Sequence, residues 1–237
     1  YAYLGVCYFF TDNYFEAKNN LTKCIQLNAT KNSVNFAMKH LKNFEMTSYF
    51  DSWKVLETKN IRFHFQNIDS ITDIQKYINE RQLAFDSINA FFNAQLAKRI
   101  EFFVWNNKKD AKTILGKEIG FAISKIYSIN AHKNQTKGHE ITHILLDHSI
   151  NPTNKQQLIN EGIAVYFDLS HRNKLEEAKK AIGNTSINID ALWGDTKTNQ
   201  ISYPIGGALI SYLKTIGDDE TLKKLLHNQS LSNAKKL

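Results

Sequence analysis

Five consecutive residues, His139-Glu140-Ile141-Thr142-His143, constrain this chain more than any other stretch of it. Two histidines four positions apart share a face when they lie on an α-helix, where each residue advances roughly 100°. On that face two imidazoles can hold one metal ion while the carboxylate beside the first stays free as a base. The flanking residues fit the same geometry. Ile141, Ile144, Leu145 and His148 recur at helical spacing as a core-facing stripe, and His139, Glu140, His143 and Asp147 fall together on the opposite side. Thr136 is the expected N-cap, and Asn151-Pro152 ends the helix.

A tetrahedral catalytic site needs a third protein ligand besides the two histidines. Residues 158–167 read as a second buried helix, and Glu161 is their only charged residue. An unpaired carboxylate buried in such a segment is costly, and a metal ion is a partner that removes the penalty. Gly162, next in sequence, would let this helix approach the motif helix closely.

His-Glu-x-x-His followed by a short loop and Asn160-Glu161-Gly162-x-Ala164 on a second helix resembles the gluzincin metallopeptidases, the group that includes thermolysin and the zinc aminopeptidases. The stretch from His139 to Asp147 is similar to the thermolysin motif helix, including the Asp four residues after the second His. The resemblance implies an α+β, thermolysin-like zincin fold with a small mixed sheet and active-site helices. It implies a Zn2+ ion held by His139, His143 and Glu161. Glu140 would be the general base that activates water for hydrolysis of a peptide or protein substrate. Asp147 and Asn160 become candidates for orienting the ligand imidazoles.

In that family a small sheet precedes the motif helix, and its edge strand binds substrate backbone by strand addition. Suitable segments are Ile61–Phe65, Ile100–Trp105 and residues 121–127, the last expected nearest the site, with a long helix over roughly residues 71–96 between the first two. Residues 202–213 resemble the Tyr-x-x-Gly…Tyr-Leu helix of small peptidase-MA-like domains. Tyr203 is thereby a candidate donor to a developing oxyanion, with a tyrosine that merely packs at a helix start as the competing reading. The zinc aminopeptidases anchor the substrate amine with a Gly-x-Met-Glu-Asn strand, and residues 120–127 here contain no Glu or Asp. An endopeptidase is therefore expected over an aminopeptidase. Two other readings stay open: an inactive peptidase-like binding module, and a zinc hydrolase acting on a non-peptide amide or ester.

Residues 1–30 resemble a tetratricopeptide repeat, with Tyr1, Leu4, Gly5, Tyr8, Ala17, Leu21 and Cys24 at its consensus spacing and Thr11-Asp12-Asn13 in the turn. This resemblance implies a protein partner for residues 1–47, an N-terminal helical hairpin followed by a capping helix over 32–44. Residues 48–237 would form the peptidase-like domain, with 48–60 as a junction. Further helices are expected over 174–182, closed by Gly183-Asn184, over 205–216, capped by Gly217, and from an Asp218 N-cap through Leu226, before a polar, frayed tail from Gln229. His132 is expected in a loop near the motif.

Of 237 residues, 42% are apolar, enough for a sizeable core, and no apolar run reaches the roughly eighteen residues of a membrane span. The net charge of +7 is scattered as single lysines and short pairs, without the Arg-rich or aromatic–basic pattern of a nucleic-acid surface. Cys7 and Cys24 are expected to be buried free thiols, with a disulfide between them left open. A start at Tyr1 rather than Met leaves the compartment open, leans toward export, and suggests that the repeat continues upstream.

Overall fold

A computed structural model of the chain describes residues 1–194 and 200–237. The architecture is α+β, with twelve α-helices and one five-stranded mixed sheet among the described residues. No helix among them is long and apolar enough to cross a membrane. The chain divides into two compact units, one of Tyr1–Ile78 with Leu96–Lys133 and one of Asn79–Gln95 with Asn134–Leu237. The first unit therefore joins the N-terminal helices to the strands.

In the first unit, helices α1 (Ala2–Phe10), α2 (Tyr14–Leu27) and α3 (Lys31–Asn43) follow the expected pattern. Asn13 and Thr30 cap α2 and α3 by accepting from the Glu16 and Ser33 amides. Gly5 lies against α2, where a Cβ would come within 2.7 Å of Leu21 Cγ. The Phe9 and Phe44 rings stack at 3.7 Å over Ala17, Leu21 and Ala37. Both thiols are free. Cys24 is buried as expected, but Cys7 is exposed, because its side of α1 faces away from α2 and α3.

The sheet runs β1 (Lys54–Glu57), β2 (Ile61–Phe65), β3 (Ile100–Trp105), β5 (Ser128–His132), β4 (Phe121–Ile123). The three central strands are parallel, in the register Phe63↔Phe102↔Ile129, and both edge strands are antiparallel. β3 is buried at every position, as suits a central parallel strand, while β2 alternates. Two expectations need correction. Residues 54–57, read as a junction, form β1. Residues 121–127, read as one strand, end their pairing at Ile123, where a 3-10 turn over Ser124–Ile126 leads to Tyr127 at φ 55°, and the chain reverses into β5. A left-handed residue cannot continue a pleated strand, so Tyr127 makes the break. Helix α4 covers Ile74–Phe92 of the expected 71–96, ending where the Asn89 side chain accepts from the Ala94 amide. Helix α5 (Lys108–Leu115), not anticipated, is capped by Asn107 and closed by Gly116 at φ 74°.

Two buried acids sit in this unit. Glu45 accepts from Asn130 Nδ2 and Ser128 Oγ, which ties the N-terminal helices to β5, and burial pushes its carboxyl up to about 8. Burial also opposes ionisation of Glu101, but His64 at 2.7 Å and Lys98 at 2.8 Å outweigh it and hold this carboxyl at about 2.

The second unit contains α6 (His139–Ser149), α7 (Gln157–Tyr166), α8 (Lys174–Ile182), α9 (Ile189–Trp193), α10 (Ser202–Ile216), α11 (Asp219–His227) and α12 (Leu231–Ala234). Of the stripe expected on α6, Ile141, Ile144 and Leu145 are fully buried, while His148, one turn further on, is only half-buried. The cap is not Thr136 but Gly138, where a Cβ would lie 2.1 Å from the Phe167 carbonyl oxygen and 2.8 Å from Ile88 Cδ1. Only a residue without a side chain fits there. Gly162 does allow a close helix approach, but to α10 rather than α6: its added Cβ would meet the Gly206 backbone at 2.6 Å, and one on Gly206 would meet the Leu158 carbonyl oxygen at 2.2 Å.

The polar tail is also corrected. Gln229 is fully buried, accepting at its backbone oxygen from Trp193 Nε1 at 2.8 Å and at its side-chain oxygen from the Gln156 amide at 2.8 Å. A glutamine satisfies loop backbone that would otherwise be buried without partners.

Candidate metal centre

α6 and α7 bring together three of the residues singled out from the sequence. His139 Nε2 lies 3.2 Å and His143 Nε2 3.5 Å from the same oxygen, Glu161 Oε2. The three ligand atoms all fall within 4.8 Å of one another. Zinc–nitrogen and zinc–oxygen bonds of about 2.0–2.1 Å in a tetrahedron put neighbouring donors roughly 3.3 Å apart. The observed separations match that edge. The donor types, two imidazoles and a carboxylate, suit zinc.

The electrostatics favour a cation here. Burial opposes the charge on Glu161, yet His139 and His143 outweigh it and hold the carboxyl down at about 2, so it is anionic at neutral pH. Burial likewise opposes charge on His143, but Glu161, Glu140 and Asp147 more than offset it and raise its pKa. Every acid around this ring stabilises positive charge.

Glu140, one residue past the first histidine, is almost wholly buried at 4% exposure, and burial raises its pKa against the pull of both histidines. A carboxylate with a raised pKa is better able to take up a proton near neutrality. Asn160 Nδ2 stands 3.3 Å from His143 Nδ1, and its Oδ1 is buried without a hydrogen bond. An imidazole that ligates through Nε2 carries its proton on Nδ1 and needs an acceptor there. With the amide turned, Asn160 Oδ1 supplies it.

Tyr203 sits in the first turn of α10, its ring nearly parallel to His139 at 18° and 6.1 Å between centroids. Burial and the charges of Glu161 and Glu140 push its hydroxyl up to about 12, which keeps the proton in place for donation. Asp147 is engaged elsewhere: its carboxylate accepts from Lys155 at 2.6 Å and acts on His143 through its charge. His132, expected in a loop, is instead the last residue of β5, where burial lowers its pKa.

Gln135 was not singled out from the sequence, and Gly206, the glycine of the Tyr-x-x-Gly pattern, was given no role of its own. Gly206 receives Gly162, which locks α10, and with it Tyr203, against α7. Gln135 donates from Nε2 to Glu140 Oε1 at 3.4 Å. Gln135 lies in an irregular loop with no periodicity to mark it, whereas the Gly206-Gly207 pair carried a signal that a small-residue helix face would have revealed. No protein-family model matches the chain, and no curated protein matches it.

Proposed function

We propose that this chain is a zinc-dependent peptidase of the gluzincin type, with a thermolysin-like zincin domain and endopeptidase action favoured over aminopeptidase action. The observation that carries the reading is that His139 and His143 both face Glu161 Oε2, at 3.2 and 3.5 Å, with the three ligand atoms within 4.8 Å of one another and the buried Glu140 beside them. A zinc ion held by these three would supply Lewis acidity, acidifying a water and polarising the scissile carbonyl.

The protein's own groups do the rest. Glu140 takes the proton from the attacking water and hands it to the departing amine nitrogen. Tyr203 keeps its hydroxyl proton and donates a hydrogen bond to the oxyanion. Asn160 accepts from His143 Nδ1 and fixes the ring. No Glu or Asp lies in residues 120–127 to hold a free substrate amine, which favours an internal peptide bond.

The test is cleavage of a peptide library by wild type and Glu140→Gln side by side, with metal content measured for both. Chelator-sensitive cleavage, lost in Glu140→Gln while zinc stays bound, is expected. Hydrolysis that persists in metal-free protein would contradict the reading. Zinc without turnover of any peptide would move it to a binding module or to a hydrolase of other amides and esters. Within the same assay, Tyr203→Phe is expected to lower kcat about 10²-fold with zinc content unchanged.

A further inference from the structure

Gln135 has no place in the motif, yet its Nε2 donates to Glu140 Oε1 at 3.4 Å. The carboxylate of a glutamate turns about a broad, nearly two-fold terminal torsion, so packing alone does not fix its plane. A base that must meet one particular water needs that plane fixed, with one oxygen left free.

The loop that presents Gln135 is held at several points. Arg81, a buried residue of α4, donates from Nη2 to the Gln135 carbonyl oxygen at 3.2 Å. Its neighbour Glu80 pairs with Lys137 at 3.1 Å. The Gly138 amide donates to the Asp168 carbonyl at 3.4 Å, and Gly138 leaves no space for a side chain. Two adjacent residues of α4 thus grip the segment just ahead of α6, and the Gln135 amide is offered from a fixed backbone. The placement brings the Gln135 amide to one particular oxygen of Glu140, Oε1.

We infer that Gln135 is a positioning residue for Glu140: its amide occupies Oε1, orients the carboxylate, and leaves Oε2 as the oxygen that takes the proton. The inference rests on the hydrolase reading for its kinetic consequence, but the bond itself can be examined without turnover.

The experiment uses the full chain loaded with zinc, as wild type, Gln135→Met, Glu140→Gln and the double variant. Methionine keeps the length of glutamine and removes the donor. Gln135→Met is expected to lower kcat about tenfold, the worth of one hydrogen bond to a charged group, with KM, zinc stoichiometry and Tm unchanged. On the Glu140→Gln background it should add no further loss, because it acts through that carboxylate. An unchanged kcat, a loss that repeats in the double variant, or a loss that follows Tm or zinc content would overturn the inference.

A wild type that binds zinc and cleaves nothing would defeat the peptidase reading instead. The Gln135 bond is then decided by the nitrogen-15 spectrum, where the side-chain amide of Gln135 is identified by its disappearance in Gln135→Met. Its bonded proton should move upfield in Glu140→Gln as the charged acceptor becomes neutral. An amide unmoved by Glu140→Gln would refute the bond.

Discussion

Two clusters in this protein pair histidine with a glutamate, buried at Glu101 and half-buried at Glu161, and they are built for different ends. In the sheet, Glu101 has a close cationic or imidazole partner on each oxygen, His64 Nε2 at 2.7 Å on Oε2 and Lys98 Nζ at 2.8 Å on Oε1, with the Tyr14 hydroxyl also in reach. The carboxylate is matched and closed. Between α6 and α7 two imidazoles face one oxygen of Glu161 at the longer distances of 3.2 and 3.5 Å, with a second acid, Glu140, alongside. Here two imidazoles and two carboxyl groups are gathered in one site. Both glutamates are held at about 2, so a depressed carboxyl does not separate the two cases. The difference lies in how many donors converge on one oxygen and at what spacing. A matched pair satisfies its own charges, whereas two imidazoles that share one carboxylate oxygen make a donor set of the kind that holds a cation.

Substitutions should separate the clusters in opposite ways. The largest effect is expected for Glu161→Gln, which should lose zinc and at least about 10³-fold in hydrolysis, while Tm of the zinc-free protein changes little. The sheet cluster should show the reverse. Glu101→Leu leaves Lys98, 1% exposed, buried without its close partner, and is expected to cost about 3–5 kcal/mol in urea unfolding. Zinc stoichiometry in the folded fraction should stay at the wild-type value. If Glu101→Leu depleted zinc as strongly as Glu161→Gln, the distinction between the two clusters would be broken.

A smaller effect is expected at the edge of the Glu161 cluster. Asn160→Leu removes the side-chain amide that meets His143 Nδ1 and should weaken zinc about 10–100-fold, measured by competition with a chelator, with Tm nearly unchanged.

The smallest effects are pH slopes. Glu101 has a folded pKa below its unfolded value, so the stability it supplies is complete above the ordinary carboxylate range and is lost as pH falls toward about 2. Glu45 has the opposite sign. Its folded pKa of about 8 lies above the unfolded value, so its contribution is complete below the ordinary carboxylate range and is lost as pH rises through about 8. Glu45→Gln should flatten the fall of Tm between the ordinary carboxylate range and about pH 8 and leave the acid limb intact. A fall over that window unaltered by the variant would show that Glu45 does not govern it.

The same contrast explains what could be read from the sequence. The site's ligands were legible because they lie on two periodic helices, where spacing dictates which residues share a face, and because Glu161 stood alone in an apolar run. The closed cluster was not, since His64, Lys98 and Glu101 come from separate strand and loop positions that only the parallel register of β2 and β3 aligns. β5 escaped notice because nothing in its local composition marks the left-handed Tyr127 ahead of it. β1 is short, and its positions are exposed or half-buried, so it lacks a core-facing pattern. Helix α5 did carry signals, an Asn107 cap and a closing Gly116, that its short length obscured. Gly162 was read correctly as a close-contact residue and assigned the wrong partner, because sequence shows that a helix face is small and not which helix meets it.

The central claim, that His139, His143 and Glu161 hold one catalytic metal ion, is tested most directly by zinc stoichiometry. Purified wild type and Glu161→Gln would be equilibrated with the same free zinc, and bound metal measured by plasma mass spectrometry. The account predicts one tightly held zinc per wild-type chain and its loss in the variant. Equal zinc in both, or none in the wild type, would contradict it.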